Sequence, residues 1–237
     1  MQAVQEPQGH HLLVQQKLKD QFSSVYLTLL SVIQGVALAD LAAVVATNSQ
    51  QFTLTQWLLV LVAFGSVITT WSQYTMHIIS LNWIPDVRDA LIPFVLGALE
   101  LFFNHLIPLS LGGWLFVGTL FSSWGAFATW HTQRRAGQEA ENLPLLSHVG
   151  RRLLWLRLAL FGISPCLLLF AVVSTLGHVQ ATQQLNTTEG VLALTFALLV
   201  VAMTSGVFLV SVWYWQAIVT YARTGHMPGK QAHEPGT

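Results

Sequence analysis

Glu100, Asn104 and His105 lie inside GALELFFNHLIP, the stretch from Gly97 to Pro108, which is otherwise apolar enough to cross a membrane. A carboxyl, an amide and an imidazole in such a place are the side-chain types that bind ions and pass protons. A charged carboxylate at the centre of a bilayer costs about 2.5–3.5 kcal/mol even on the lenient insertion scale. No Lys or Arg occurs between Lys19 and Arg88, or between Arg88 and Arg134, to neutralise it. Glu100 must therefore be protonated, hydrated, or held by a cation or by donors such as Gln34 and Asn104. Asn104 is one turn further along the same helical face, and His105 points to an adjacent one.

Two other apolar segments carry polar stripes. In the first, Ser24, Thr28, Ser31 and Gln34 are spaced by four, three and three; in the second, Ser66, Thr70, Gln73, His77 and Ser80 are spaced by four, three, four and three. This is helical periodicity with its sign reversed, a polar line on an apolar rod.

The elements that position these residues follow from composition. Just over half the residues are hydrophobic and only 8% are charged, against roughly 25% in a soluble domain. So few charges cannot solvate the surface of a soluble fold, and the apolar runs match the roughly 20 residues that span a bilayer. Six such segments are predicted: 24–47, 54–80, 90–109, 112–131, 153–177 and 191–221. Each is read as a helix, because backbone groups in lipid must be satisfied internally. The continuous apolar character excludes the alternating pattern of barrel strands. The fold class is thus all-α and polytopic, with residues 1–23 and 223–237 flanking a six-helix domain over 24–222.

Basic residues orient the chain. Lys17 and Lys19 precede span one, and Arg88 lies between spans two and three. Arg134, Arg135, Arg151 and Arg152 lie between four and five, with Arg157 just inside span five; Arg223 and Lys230 follow span six. All ten basic residues thus fall on one side of a six-span threading, which the positive-inside rule makes the cytoplasm. Both termini are then cytoplasmic, and the protein is placed in the plasma or inner membrane. Trp57 and Trp114 at outer ends, and Trp83, Trp130, Trp155, Trp213 and Trp215 near inner ends, are expected as interfacial anchors. Trp71 and Trp124 are deeper and expected between helices. No cleavable signal peptide is expected from the polar first twenty-two residues. Asn186-Thr187-Thr188 forms a glycosylation sequon in the last outer loop.

From the inner ends, Gln34, Thr70 and Glu100 all come to roughly 15–18 Å, and Asp40, Asn104 and His105 to roughly 24–26 Å. The pattern predicts a cytoplasm-facing polar cleft ending near Glu100. Asn104, Gln34, Thr70, Gln73, His77, Asp40 and His105 join Glu100 as residues for binding an ion or substrate. A plainer reading applies beside it: hydroxyls return to the backbone, and polar side chains join helices at well under 2 kcal/mol each. His77 and His131 suit the inner interface, and Asp40 lies close to the outer headgroups.

Other chemistry is limited. The zero formal charge points to no nucleic-acid partner, and the single Cys166 allows neither an intrachain disulfide nor a cysteine metal cluster. No phosphate loop, nucleophile elbow, His-Glu-x-x-His or paired-Asp motif is present. No catalytic set, cofactor or metal site is identified, since His77, Glu100, His105 and His131 have no local ligand spacing. In span count, length and a polar residue late in span one, the layout resembles the bacterial relatives of the lysosomal potassium-leak channel. That family's Arg…Phe-Ser-Asp signature is absent: VALADL has Asp40 without the Phe-Ser or an upstream Arg.

Three function classes follow: an ion, proton or small-solute channel or carrier; a membrane-embedded sensor, scaffold or subunit of a larger complex; and an intramembrane lipid-acting enzyme. The bilayer is the first partner. A homo-oligomer is expected from Trp-bearing faces and from Gly112, Gly113, Gly118 and Gly125, which suit close helix contact. The threading itself is checked by reporter fusions. Those after Gln51, Ser110 and Gln184 should read external, and those after Asp86, Gly137 and Gly229 internal; one reproducible reversal breaks it.

Overall fold

The computed structural model describes residues 8–83, 86–183 and 187–224, the side chains of residues 8–16, 18–20, 148 and 152 excepted. Among these residues the chain is six α-helices and two short 3-10 turns, with no strand. The helices are α1 (Gln8–Asn48), α2 (Leu54–Ser80), α3 (Val87–Leu106), α4 (Leu111–Ala136), α5 (Leu143–Leu176) and α6 (Thr188–Thr224). Each holds a segment long and apolar enough to cross a membrane. The sequon residue Asn186 and the tail from Gly225 through Lys230 lie outside the described residues.

The helices outrun the apolar spans at their polar ends. α1 reaches back to Gln8 and α5 begins at Leu143, inside the connection of residues 131–152. Gln, Leu, Lys and Arg are good helix formers, so helix continues past the point where hydropathy stops. Asn142 precedes Pro144 in the first turn of α5, where the missing proline N–H has no helical partner to lose.

Contacts order the bundle. α2 packs on α6, α6 on α5, α5 on α4, α4 on α3, and α3 touches α2. These five helices close a ring. α1 lies outside it, packed on both α2 and α3. Glycines allow the closest approaches. A methyl group at Gly112 would lie 2.6 Å from Thr175 Oγ1, and one at Gly118 would press on Phe103 and Leu167. Gly97 meets the Ile33 side chain with no room for a Cβ. The α4 glycines Gly112 and Gly118, expected on a face for partner helices, are thus spent on contacts within the chain.

Several tryptophans sit elsewhere than their depth suggested. Trp114 is no interfacial anchor: it is fully buried, its ring stacked on Phe103 at 3.9 Å between centroids. Trp83 is also buried, and its indole N–H donates to Asp89 Oδ2 at 3.3 Å. Trp71, expected between helices, reaches from α2 to α1, its indole N–H donating to Ser31 Oγ at 3.4 Å with part of the ring exposed, and Trp124 packs against the core cluster around Tyr26 and Tyr74. Depth along a helix is legible from sequence, but azimuth depends on which neighbour the helix meets.

Polar caps tie the ends of the bundle. At one end Thr53 and Gln56 form a capping box at the start of α2. From there the Thr53 hydroxyl donates to the Ala181 carbonyl, and the Gln56 amide to that of Ile107. At the other end Asn142 accepts from the Asn82 N–H and donates to the carbonyls of Asn82 and Ala136. There Asp86 caps α3 in a second box with Asp89. Burial pushes the Asp86 carboxyl up, but the N–H groups of Arg88 and Asp89, helped by the charges of Arg135 and His131, hold it below the usual carboxylate range.

The seam between α1 and α3 supplies a stability test. Gly97→Val forces a branched side chain into Ile33 and should cost about 1–3 kcal/mol, read as a lower Tm in detergent. Gly35→Ala on the open side of α1, where nothing lies within 4 Å, should be neutral or stabilising by up to about 1 kcal/mol. Equal losses in both variants would contradict the packing described.

Candidate functional site

The close approach at Gly97 sets the site. Because α1 comes against α3 at Ile33, the next residue, Gln34, reaches Glu100 one turn along α3. Its amide Nε2 donates to Glu100 Oε2 at 2.9 Å, with both side chains buried. The Thr70 hydroxyl of α2 stands beside the same carboxyl. The remaining oxygens, Glu100 Oε1 and Gln34 Oε1, are buried and have no hydrogen-bond partner. Three helices therefore converge on one carboxyl, and two acceptor atoms there are left unsatisfied. Such a group accepts a proton or a cation more readily than it accepts another acceptor.

One turn further along α3 the seam continues. Asn104 Nδ2 donates to the Ala37 carbonyl and to Asp40 Oδ2, each at 3.0 Å. Asp40 Oδ1 in turn lies 3.2 Å from His105 Nε2, whose side chain is 63% exposed. The α1–α3 seam thus carries a polar ladder from exposed His105 through Asp40 and Asn104 toward buried Gln34 and Glu100. The Ala37 carbonyl is already a helical acceptor, so the Asn104 bond adds to it without disrupting α1.

Gln73 and His77 belong to a different contact. Gln73 Nε2 donates to Ser211 Oγ at 2.7 Å, joining α2 to α6. His77 is buried rather than interfacial: its Nδ1 lies 2.8 Å from the Gln73 carbonyl and its ring leans on Tyr214 at 5.6 Å. The structure therefore brings Glu100, Gln34, Thr70, Asn104, Asp40 and His105 along one seam and holds Gln73 and His77 on another.

Between the seams, inside the five-helix ring, is a cavity of about 90 Å³, with room for several waters. Its walls are mostly apolar, with Ser66, Thr69, Thr70, Gln73, Tyr74, Ser122, Thr129 and Thr204 as its hydroxyl and amide groups. Glu100 is not part of its lining. Thr70 is the residue that both lines the cavity and stands beside the Glu100 carboxyl.

Ser211 and Tyr214 of α6 were not singled out by sequence, because they sit in an apolar helix without a repeating polar stripe. Asp89 was missed too, although Asp86-Val87-Arg88-Asp89 has the three-residue spacing of a capping box and so forecasts a carboxylate turned back toward the chain. His131, read as interfacial, is buried. Comparison with protein-family models, with curated proteins and with solved structures gives no match, so function is argued from the seam and the cavity themselves.

Proposed function

We propose that this is an integral membrane channel or carrier for protons or small cations, with Glu100 as the ion-binding carboxyl. One observation carries the reading. A buried carboxyl, opposed by an amide and a hydroxyl and not by a Lys or Arg, keeps one oxygen without a partner at the middle of an apolar bundle. A purely structural carboxyl there would be expected to have both oxygens satisfied, since each unsatisfied buried acceptor costs about 1–3 kcal/mol. A bound proton or cation removes that cost. In this reading Gln34 orients the carboxyl, Thr70 connects it to the cavity, and the His105–Asp40–Asn104 ladder leads to it from the far side. The orientation with both termini cytoplasmic, drawn from the basic residues, would put His105 and Asp40 toward the outer side of Glu100.

A second reading, a membrane-embedded sensor or subunit, is favoured by the tight packing: Gln34, Glu100 and Asn104 are each 3% exposed or less. A seam packed this closely suits a part that transmits or supports more than one that conducts continuously. Self-association belongs with that reading and would be measured as mass in native nanodiscs.

Reconstitution in liposomes separates the two. The conduit reading expects decay of an imposed proton, sodium or potassium gradient faster than in empty vesicles. It also expects Glu100→Gln to slow that decay by at least about tenfold, a barrier increase of about 1.4 kcal/mol, while folding normally. Glu100→Leu should likewise lose flux but keep or raise Tm, because an apolar side chain replaces a costly one. Undiminished flux in Glu100→Gln would remove Glu100 from the mechanism. Absence of flux for all three ions in the wild type would retire the conduit altogether.

A further inference from the structure

A second group of ionisable side chains lies away from the Glu100 seam, where α3 begins and α4 ends. We propose that Asp86, Asp89 and His131 form a site for one divalent transition-metal ion of the zinc or manganese class. A ligand atom from each of the three lies within 4.8 Å of the others. In a tetrahedral site with bonds of about 2.1 Å, ligand atoms sit about 3.4 Å apart. His131 Nε2 and Asp89 Oδ1 are already separated by 3.4 Å, and the Asp86 ligand atom lies within 4.8 Å of theirs.

The local structure aims these atoms. Asp86 Oδ1 accepts from the N–H groups of Arg88 and Asp89, which fixes its carboxylate at the head of α3. Asp89 Oδ2 accepts from the Asp86 N–H at 2.8 Å and from the Trp83 indole. Its Oδ1 is left facing His131. Outer partners of this kind orient a metal-binding carboxylate and hold its free oxygen in place.

The independent sign of a ligand is His131. Its side chain is 8% exposed, and its Nε2 has no hydrogen-bond partner although a carboxylate oxygen lies close by. A buried imidazole that brings a ligand atom within 4.8 Å of two carboxylates, with an Nε2 that completes no hydrogen bond, is an arrangement that a metal ion satisfies. Arg135 acts on Asp86 electrostatically and competes for it, which limits affinity without blocking the other two ligands. The imidazole argues against magnesium and calcium, which take oxygen ligands. Asp86 itself is half-buried and so partly open to solvent. A bound ion would pin α3 to α4 at this end of the bundle.

The test uses the full chain, purified in detergent, stripped with chelator and titrated with Mn²⁺ or Zn²⁺ alone. One ion per chain should bind, Tm should rise, and pulsed EPR of the Mn²⁺ form should show a single imidazole nitrogen. His131→Gln should abolish the nitrogen signal and weaken binding by more than about tenfold. Asp86→Asn still caps α3, so it should weaken binding to a similar degree while leaving the metal-free Tm close to wild type. Binding unchanged in both variants would overturn the proposal, as would an absent nitrogen signal. A loss of metal-free stability in His131→Gln with no metal binding in the wild type would leave a His–Asp ion pair as the whole of the contact.

Discussion

Hydrocarbon offers no hydrogen bond, and the polar side chains on these helices are arranged around that constraint. Two solutions appear, divided by side-chain chemistry. Many hydroxyls satisfy themselves: Thr28, Thr47, Ser66, Thr69, Ser80, Thr119, Thr129 and Thr195 each donate to the carbonyl four residues earlier on their own helix. Such residues can face lipid, a cavity or another helix at little cost. Amides and carboxyls in mid-span have more donor and acceptor capacity than one backbone carbonyl can meet. Gln34 and Glu100 therefore meet each other, Asn104 meets Asp40, and Gln73 meets Ser211. The helix seams run where those residues are.

That division explains why α1 lies outside the ring. Its inward face needs to reach Glu100 and Asn104 on α3, and Ile33 against Gly97 lets the two backbones approach closely enough for it to do so. The opposite side of α3 packs on α4 through Phe103 and Trp114. α3 is thus polar toward α1 and aromatic toward α4. The ring that remains is lined largely by apolar groups and self-satisfied hydroxyls, which is what a cavity able to admit water without demanding it requires.

The two ends of the bundle are held by a different device. Short connections bring helix termini together, and capping side chains with spare hydrogen-bonding capacity then bridge to a neighbouring element: Thr53 and Gln56 at one end, Asn142 at the other. Asp86 and Asp89 cap α3 with one carboxylate oxygen each, and the free oxygen of Asp89 faces α4. A cap in this chain is therefore also a cross-link, and the cluster at His131 grows out of it.

By itself the sequence determined the number of membrane-length helices and their order, because a run of about 20 apolar residues has one stable form in a bilayer. It also identified Glu100 as the costliest residue and Gln34 as a donor to it, since a carboxyl without a basic partner must find donors at its own depth; Asn104, expected as a second donor, turns to Asp40 and the Ala37 carbonyl instead. What it could not reach was azimuth. Trp114 turned inward, Gln73 and His77 turned to α6 instead of joining Glu100, and Gly112 of α4 met α5. Periodicity says which residues share a face of one helix, but which face meets which neighbour is decided by side chains far apart in the chain fitting together. Only the packed ring could place Thr70 between carboxyl and cavity, or bring His131 to Asp89 across forty-two residues of sequence.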